Sequence, residues 1–195
     1  MTETISIGKN SKMIFISISL NVIKIIICSL FIALMARFAI PLSFIALSVT
    51  LQTLAISIIS IFFKKKEVVL AVIFYLFLAF CGFPVLQNGQ SNPLWVFSPT
   101  AGYLFGFFMA AVILPTALTK YKPKHFAKTW LIFAVNESTV LLFGTLWLSY
   151  YIGITNGLAK GFIPFIPGAV LKITIASLIY RVKSRIKIKN GYKIR

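Results

Sequence analysis

Residues 100–119 read TAGYLFGFFMAAVILPTALT, twenty residues without a single charge. As an α-helix, such a stretch is about 30 Å long, which matches the hydrocarbon thickness of a lipid bilayer. Basic residues follow at once, at Lys120, Lys122, Lys124 and Lys128. Because positive charge accumulates at the cytoplasmic ends of membrane-spanning helices, this segment predicts a span whose C-terminal end faces the cytoplasm.

Five further segments of the 195-residue chain have the same character. Of all residues, 59% are hydrophobic and only 12% are charged, whereas soluble domains have about 25% charged residues. The sequence therefore predicts an all-α membrane protein, a six-transmembrane-helix bundle that forms a single integral membrane domain over residues 1–195. The expected spans are 13–38, 46–63, 67–83, 100–119, 130–152 and 161–180, followed by a basic tail at 181–195.

The distribution of charge sets the expected topology. The chain has 20 Lys and Arg against 3 Asp and Glu, a net charge of +17. With the N-terminus in the cytoplasm, sixteen of the twenty basic residues fall in the N-terminal segment, the 64–66 and 120–128 connections and the tail. Both termini are then cytoplasmic, and the uncharged 84–99 connection faces outward. Because the basic residues lie at the ends of apolar segments, the charge does not indicate nucleic-acid binding.

The inventory of reactive side chains argues against an enzyme. The single histidine, His125, lies in a basic connection, and the three acids are scattered, so general acid–base or metal catalysis has almost nothing to use. Cys28 and Cys81 lie in apolar runs without a neighbour at metal-site or redox-motif spacing. No phosphate-binding loop of the Walker type occurs. We therefore expect no catalytic residues, no bound metal and no cofactor.

Four charged residues fall within or beside the expected spans, where charge is costly and functional roles are common. Lys172 follows shortly after Pro167, which suits the first turn of a helix. A buried ammonium needs a counter-charge, and no acid is expected near the outer face. A bound anion is therefore the predicted partner, favoured also by the helix N-terminus. Glu137 is expected in an interior ion pair or hydrogen bond, Lys24 to snorkel or pair with Glu137, and Arg37 to anchor the outer rim.

Hydrogen-bonding and aromatic groups begin the second and fourth spans at the same outer end. Thr50 and Gln52 must face the interior of the bundle, because hydrocarbon offers no hydrogen-bond partners. Tyr103 offers a ring and a hydroxyl. Gly102, four residues before Gly106, gives a smooth face either to a flat ligand or to another helix. Together with one cation, these groups predict a pocket for a small, mostly apolar molecule with a polar head and a single negative charge.

Motifs spread from about residue 30 to 180 resemble those of the BioY family, the biotin-binding S components of energy-coupling-factor vitamin transporters. Each motif alone is weakly specific, but together they follow the family's order and spacing. The matching residues are Pro41, Val49-Thr50-Leu51-Gln52-Thr53-Leu54, Tyr75-Leu76, Cys81-Gly82-Phe83-Pro84-Val85, Ser98-Pro99-Thr100-Ala101-Gly102-Tyr103-Leu104-Phe105-Gly106-Phe107, Gly144-Thr145-Leu146-Trp147-Leu148 and Pro164-Phe165-Ile166-Pro167-Gly168-Ala169-Val170-Leu171-Lys172.

The resemblance implies a multi-pass protein of the plasma (inner) membrane of a prokaryote, with an outward-facing biotin site and no enzymatic activity. The implied partners are biotin, the lipid bilayer, a transmembrane scaffold subunit and paired cytosolic ATPases; a solitary or homo-oligomeric subunit is the other possibility. The predicted substrate-binding residues are Lys172, which would neutralise the ligand carboxylate, and Gln52, Tyr103, Asn88, Thr50 and Gly102, which would meet the head group or line the pocket. The predicted docking face on the first helix consists of the small residues Ser29, Ala33 and Ala36, which permit close helix approach.

One departure from the family pattern bears on the ligand. The family usually has an acidic residue three positions before the lysine of the last motif, and here that position is Ala169. Such a carboxylate would hydrogen-bond the ligand or hold the lysine. An S component for another vitamin or for a biotin precursor is therefore the alternative prediction.

Overall fold

The protein is a bundle of long helices. The computed structural model describes residues 2–41 and 48–189. Within this part of the chain, six helices have eleven residues or more, and one has four residues. They are α1 (Thr2–Arg37), α2 (Gln52–Phe62), α3 (Lys65–Phe80), α4 (Ala101–Tyr121), α5 (Phe126–Ile152), the short α6 (Ile154–Gly157) and α7 (Ile166–Lys189).

Four helical segments are long and apolar enough to cross a membrane. They are Ser19–Arg37, Ala101–Tyr121, Phe126–Ile152 and Ile154–Ile186, the last of which includes irregular helical turns before α7. With 11 and 16 residues, α2 and α3 rise only about 17 and 24 Å. The predominantly helical fold is confirmed, while full spanning length is reached by four of the described helices rather than six.

A β-hairpin replaces the beginning of the predicted second span, 46–63. Residues 46–47 lie outside the described residues, and Ser48–Thr50 forms strand β2, paired antiparallel with strand β1 (Ala39–Pro41). The helix therefore begins only at Gln52. The β-branched Val49 and Thr50 suit a strand, and the pairing satisfies backbone groups that an isolated extended segment would leave open.

Helices α4 and α5 pack side by side with almost no space between their backbones. A Cβ atom placed on Gly102 would lie 2.3 Å from Trp147 Cβ, and one on Gly106 would lie 2.9 Å from Val140 Cα. On the α5 side, a Cβ on Gly144 would lie 2.1 Å from the Tyr103 ring. Of the two roles that the spacing of Gly102 and Gly106 allowed, contact with a flat ligand or with another helix, the structure shows Gly102 in contact with another helix.

The connection between α3 and α4 is ordered by short turns and by aromatic contacts with α5. It contains 3₁₀ turns at Gln87–Gly89 and Trp95–Phe97, and Trp95 is buried. Trp147 Nε1 donates to the Ser98 carbonyl at 3.0 Å, and the Tyr151 hydroxyl donates to the Phe97 carbonyl at 2.9 Å. This connection thus lies across the end of the bundle where α4 begins.

Lys24 does not pair with Glu137, the partner that the sequence analysis considered for it. Its Nζ lies 3.3 Å from Glu67 Oε1, at the start of α3, and both side chains remain partly accessible. Glu67 also accepts a hydrogen bond from the Lys64 backbone N–H at 2.8 Å, which caps α3. The prediction that Lys24 pairs with Glu137 is therefore wrong. Glu137 pairs with a residue deeper in the bundle.

Candidate ligand-binding site

A cavity lies where α2, α4 and α7 begin, between strand β2 and the 84–99 connection. Its volume is about 110 Å³, whereas a cavity that holds a single buried water needs only roughly 10–15 Å³. The space therefore suits a small organic molecule. Its walls are formed by Ser48, Thr50, Gln52, Thr53, Leu86, Gln87, Gln90, Asn92, Thr100, Tyr103, Leu104, Phe107, Glu137, Val140, Leu141, Phe165 and Lys172.

A buried ion pair forms the inner wall of this cavity. Lys172 Nζ, from α7, lies 2.5 Å from Glu137 Oε1, from α5. Thr53, from α2, joins both: Lys172 donates to Thr53 Oγ1 at 2.6 Å, and Thr53 donates to Glu137 Oε1 at 2.9 Å. The two charged side chains are only 9% and 5% exposed. Three helices thus meet in one hydrogen-bonded group of opposite charges.

This pair corrects the expectation that Lys172 has no acidic neighbour. The prediction placed Glu137 near the cytoplasmic end of a helix beginning at residue 130. In the structure α5 begins at Phe126, so Glu137 stands eleven residues into a 27-residue helix, close to its middle. The expected interior ion pair of Glu137 is present, but its partner is Lys172. The family's usual acidic residue on α7 is replaced by Ala169, which cannot bind the lysine. In this chain a carboxylate from α5 binds it instead.

Gln52 is fixed by a chain of hydrogen bonds that ties α2 to α3. Its Nε2 donates to the Tyr75 hydroxyl at 2.6 Å, and Tyr75 donates to the Val85 carbonyl at 3.1 Å. On the other side, Thr50 Oγ1 donates to Gln52 Oε1 at 2.8 Å. Tyr75 is fully buried and is a positioning residue that sequence reasoning did not assign. Its pairing with Gln52 holds the amide at the cavity wall.

Tyr103 provides the aromatic wall opposite the hairpin. Its hydroxyl donates to the Gly161 carbonyl at 2.6 Å, and its ring stacks on Phe165 with centroids 5.6 Å apart. Gly144 and Gly161 leave the space that the ring and hydroxyl occupy. The structure therefore brings Tyr103 onto the same cavity as Lys172, Gln52 and Thr50, as the sequence predicted for their positions.

Two predicted contact residues lie off the cavity wall. Asn88 is exposed, adopts a left-handed backbone conformation with φ of 56° and donates to Ser48 Oγ at 3.4 Å. Gly102 faces α5 instead. The amides that do line the cavity from this connection are Gln87, Gln90 and Asn92. The only sequence signal for them was that the connection is uncharged but rich in amides.

The predicted docking face on α1 is mostly buried inside the chain. Ser29 and Ala36 have no exposed surface, and Ala33 is half-buried. Helix α1 as a whole packs mainly against α3, and small residues on its buried face permit close helix approach within the protein. An apolar stripe at spacings of three and four residues is exposed on another side of α1: Leu20, Ile23, Ile27, Leu30 and Leu34.

A bundle of membrane-length apolar helices with a cavity at one end, lined by both polar and apolar side chains, is typical of a membrane protein that binds a small solute. The comparisons with known proteins agree with this class: residues 9–188 match the family model described as the BioY family, and the chain belongs to that family. It is 32% identical over 149 residues to the "Biotin transporter BioY2" of Lactococcus lactis subsp. cremoris (strain MG1363), covering 75% of this chain and 80% of that protein.

Another relative and one solved structure extend this comparison. The "Probable biotin transporter BioY" of Rickettsia prowazekii (strain Madrid E) is 24% identical over 170 residues, covering 87% of this chain and 86% of that protein. A crystal structure of "the S-component for biotin from an ECF-type ABC transporter" superposes with a TM-score of 0.76 at 22% identity, covering 95% of each chain. The whole described bundle therefore has the fold of that S-component.

Proposed function

We propose that this chain captures biotin as the substrate-binding subunit of an energy-coupling-factor type transporter, with no enzymatic activity of its own. The observation that carries the proposal is the cavity, which has a buried ammonium (Lys172) at its inner wall and an amide (Gln52) and aromatic ring (Tyr103) around it. Biotin combines a carboxylate tail with a hydrogen-bonding ureido head, and both find chemically matching groups here. Relatives named as biotin transporters support the same ligand.

We infer that the cavity opens to the outside of a prokaryotic plasma membrane, with six membrane-spanning helices and both termini in the cytoplasm. The cavity lies at the N-terminal ends of α2, α4 and α7. Their C-terminal ends, at the opposite side of the bundle, carry the basic groups 64–66, 120–128 and 181–185. Because positive charge marks the cytoplasmic side, this separation supports an outward-facing cavity.

The proposed partners are a transmembrane scaffold subunit and paired cytosolic ATPases. The chain has no phosphate-binding loop of its own, so energy would come from such partners. We place the scaffold contact on the exposed apolar stripe of α1, because its spacing of three and four residues forms a continuous seam along one side of the helix.

A Leu30→Trp substitution tests this contact. Leu30 is 53% exposed in the middle of the stripe, so the larger ring fits without disturbing the bundle but blocks close helix approach. Co-purification with the scaffold subunit should fall at least about fivefold, which corresponds to roughly 1 kcal/mol, while biotin binding stays unchanged. The matched control is Leu142→Trp on α5, where the leucine is 52% exposed. Equal co-purification of both variants would rule out the stripe as the docking face.

Direct binding tests the ligand. The full chain, purified in detergent, should bind biotin by isothermal titration calorimetry, and biotin should displace labelled biotin more effectively than a biotin precursor or thiamine. Stronger competition by a precursor or by thiamine would favour the alternative, an S component for that molecule. No binding of biotin at all would overturn the proposed function.

A further inference from the structure

Glu137 occupies the place beside Lys172 that a ligand carboxylate needs. Its Oε1 atom lies 2.5 Å from the ammonium. The same oxygen accepts the Thr53 hydroxyl at 2.9 Å, and Thr53 accepts a hydrogen bond from Lys172 at 2.6 Å. All three residues line the cavity and are buried. The cation assigned to the ligand therefore already has a resident carboxylate as its counter-ion.

An anionic ligand upsets this balance of charge. Among the described residues that line the cavity, Lys172 is the one cation and Glu137 the one acid, so the empty wall is neutral. A bound carboxylate would place two negative charges around a single ammonium, among side chains that are themselves largely buried. Like charges at such separations repel strongly where the effective dielectric constant is low, and an uncompensated buried charge is costly.

Among the residues that the structure describes, no other group around Glu137 carries a charge that would neutralise the added one. From α2 it meets the neutral Thr53, and from α7 it meets Lys172. From α4, the titratable residue on the cavity wall is Tyr103, whose hydroxyl donates to the Gly161 carbonyl. From α3, the Tyr75 hydroxyl is engaged with the Val85 carbonyl and the Gln52 amide. Both hydroxyls are neutral and donate hydrogen bonds to backbone carbonyls. The added negative charge can therefore be offset only by a change in the charge of Glu137 itself.

We propose, on the basis of the function proposed above, that Glu137 takes up one proton from solvent when an anionic ligand binds. The ligand carboxylate then replaces Glu137 as the counter-ion of Lys172, and the protonated Glu137 remains in the wall as a neutral hydrogen-bonding group. No covalent bond other than the O–H bond on Glu137 forms or breaks. Capture of the anion and capture of a proton thereby become one event, and the occupied site is electrically neutral.

The coupling predicts a definite pH dependence. Between about pH 6 and 8 a carboxylic acid ligand stays ionised, because such groups titrate near pH 4–5 in water. If binding takes up one proton, raising the pH by one unit should raise the dissociation constant by up to about tenfold, by proton linkage. A neutral ligand such as the amide of biotin needs no added proton, and its affinity should be independent of pH over the same range.

Calorimetry of the purified full chain measures the proton directly. Biotin is titrated in phosphate and in Tris, whose ionisation enthalpies differ, so the difference in observed heat gives the number of protons exchanged. We expect uptake of about one proton with biotin and about none with biotin amide, in keeping with the charge count above. Glu137→Gln should bind biotin with no proton uptake and with a dissociation constant that no longer depends on pH.

The possible results separate this inference from the function on which it rests. Biotin binding by the unmodified chain with no proton uptake and a flat pH profile would overturn the role of Glu137 and leave the transport function intact. Absence of any biotin binding would overturn both. Equal proton uptake by wild type and Glu137→Gln would assign the proton to another group and contradict the proposal. If Glu137→Gln fails to fold, the comparison of biotin with its amide on the unmodified chain decides.

Discussion

A Lys172→Met variant should bind biotin at least about tenfold more weakly than the unmodified chain. In the proposed complex the ammonium would supply the charge-assisted hydrogen bond to the ligand carboxylate, a contact that contributes about 1.5–3 kcal/mol, and each 1.4 kcal/mol corresponds to a factor of ten in affinity. Equilibrium binding of labelled biotin to the two purified proteins measures the difference. Lys160→Met, which removes another lysine outside the cavity wall, is the matched control and should bind normally.

The same substitution should also destabilise the bundle, because it strands the buried Glu137 carboxylate. Removing one partner of a buried pair typically costs about 3–5 kcal/mol. Adding Glu137→Gln to Lys172→Met removes the stranded charge, so the double variant should regain most of the lost thermal stability without regaining biotin affinity. Full recovery of biotin affinity in the double variant, or equal affinity of Lys172→Met and wild type, would exclude Lys172 from the binding site.

A Gly144→Ala variant should lose both stability and ligand binding, although it adds only one methyl group. The new Cβ would lie 2.1–2.3 Å from three atoms of the Tyr103 ring, far inside van der Waals contact. Overpacking of this kind costs about 1–3 kcal/mol or more. The ring would have to leave its stack on Phe165 and its hydrogen bond to Gly161, which would deform the cavity. Thermal unfolding and biotin binding in detergent measure the two losses.

A double-mutant cycle shows whether the Tyr103 ring is the cause. In the Gly144→Ala background, Tyr103→Ala removes the clash, so the second substitution should cost less stability than it does alone, by more than about 1 kcal/mol. Additive costs of the two substitutions would contradict the proposed contact and would place the strain elsewhere.

The parts of the fold that depend on composition and charge could be predicted from the sequence. The apolar run at 100–119 and the lysines after it define α4 (Ala101–Tyr121) to within two residues. The hairpin could not be foreseen, because Ser48–Thr50 runs directly into an apolar helix and a three-residue strand has no periodicity of its own. Its partner strand, Ala39–Pro41, is equally short, so residue types alone do not reveal the pairing.

The site was predictable to the extent that helix ends determine it. Thr50, Gln52, Tyr103 and Lys172 were grouped because each stands near the outer end of an apolar segment, and they line one cavity. Glu137 was expected in an interior ion pair but not at the cavity, because its depth depends on where α5 begins, and a shift of four residues in that boundary moves it by about 6 Å. The choice among the amides of the connection depends on a left-handed turn at Asn88 that residue types alone do not specify.

The glycine contacts between α4 and α5 limit how the molecule can change shape. Gly102, Gly106 and Gly144 each meet the other helix at distances that leave no room for a methyl group, so an axial slip of one residue would force a side chain into backbone. The two helices must therefore keep a single register and reorient as one rigid body. Any rearrangement that releases a bound solute must then come from the elements around this pair, among them the hairpin, the 84–99 connection and the irregular turns that precede α7.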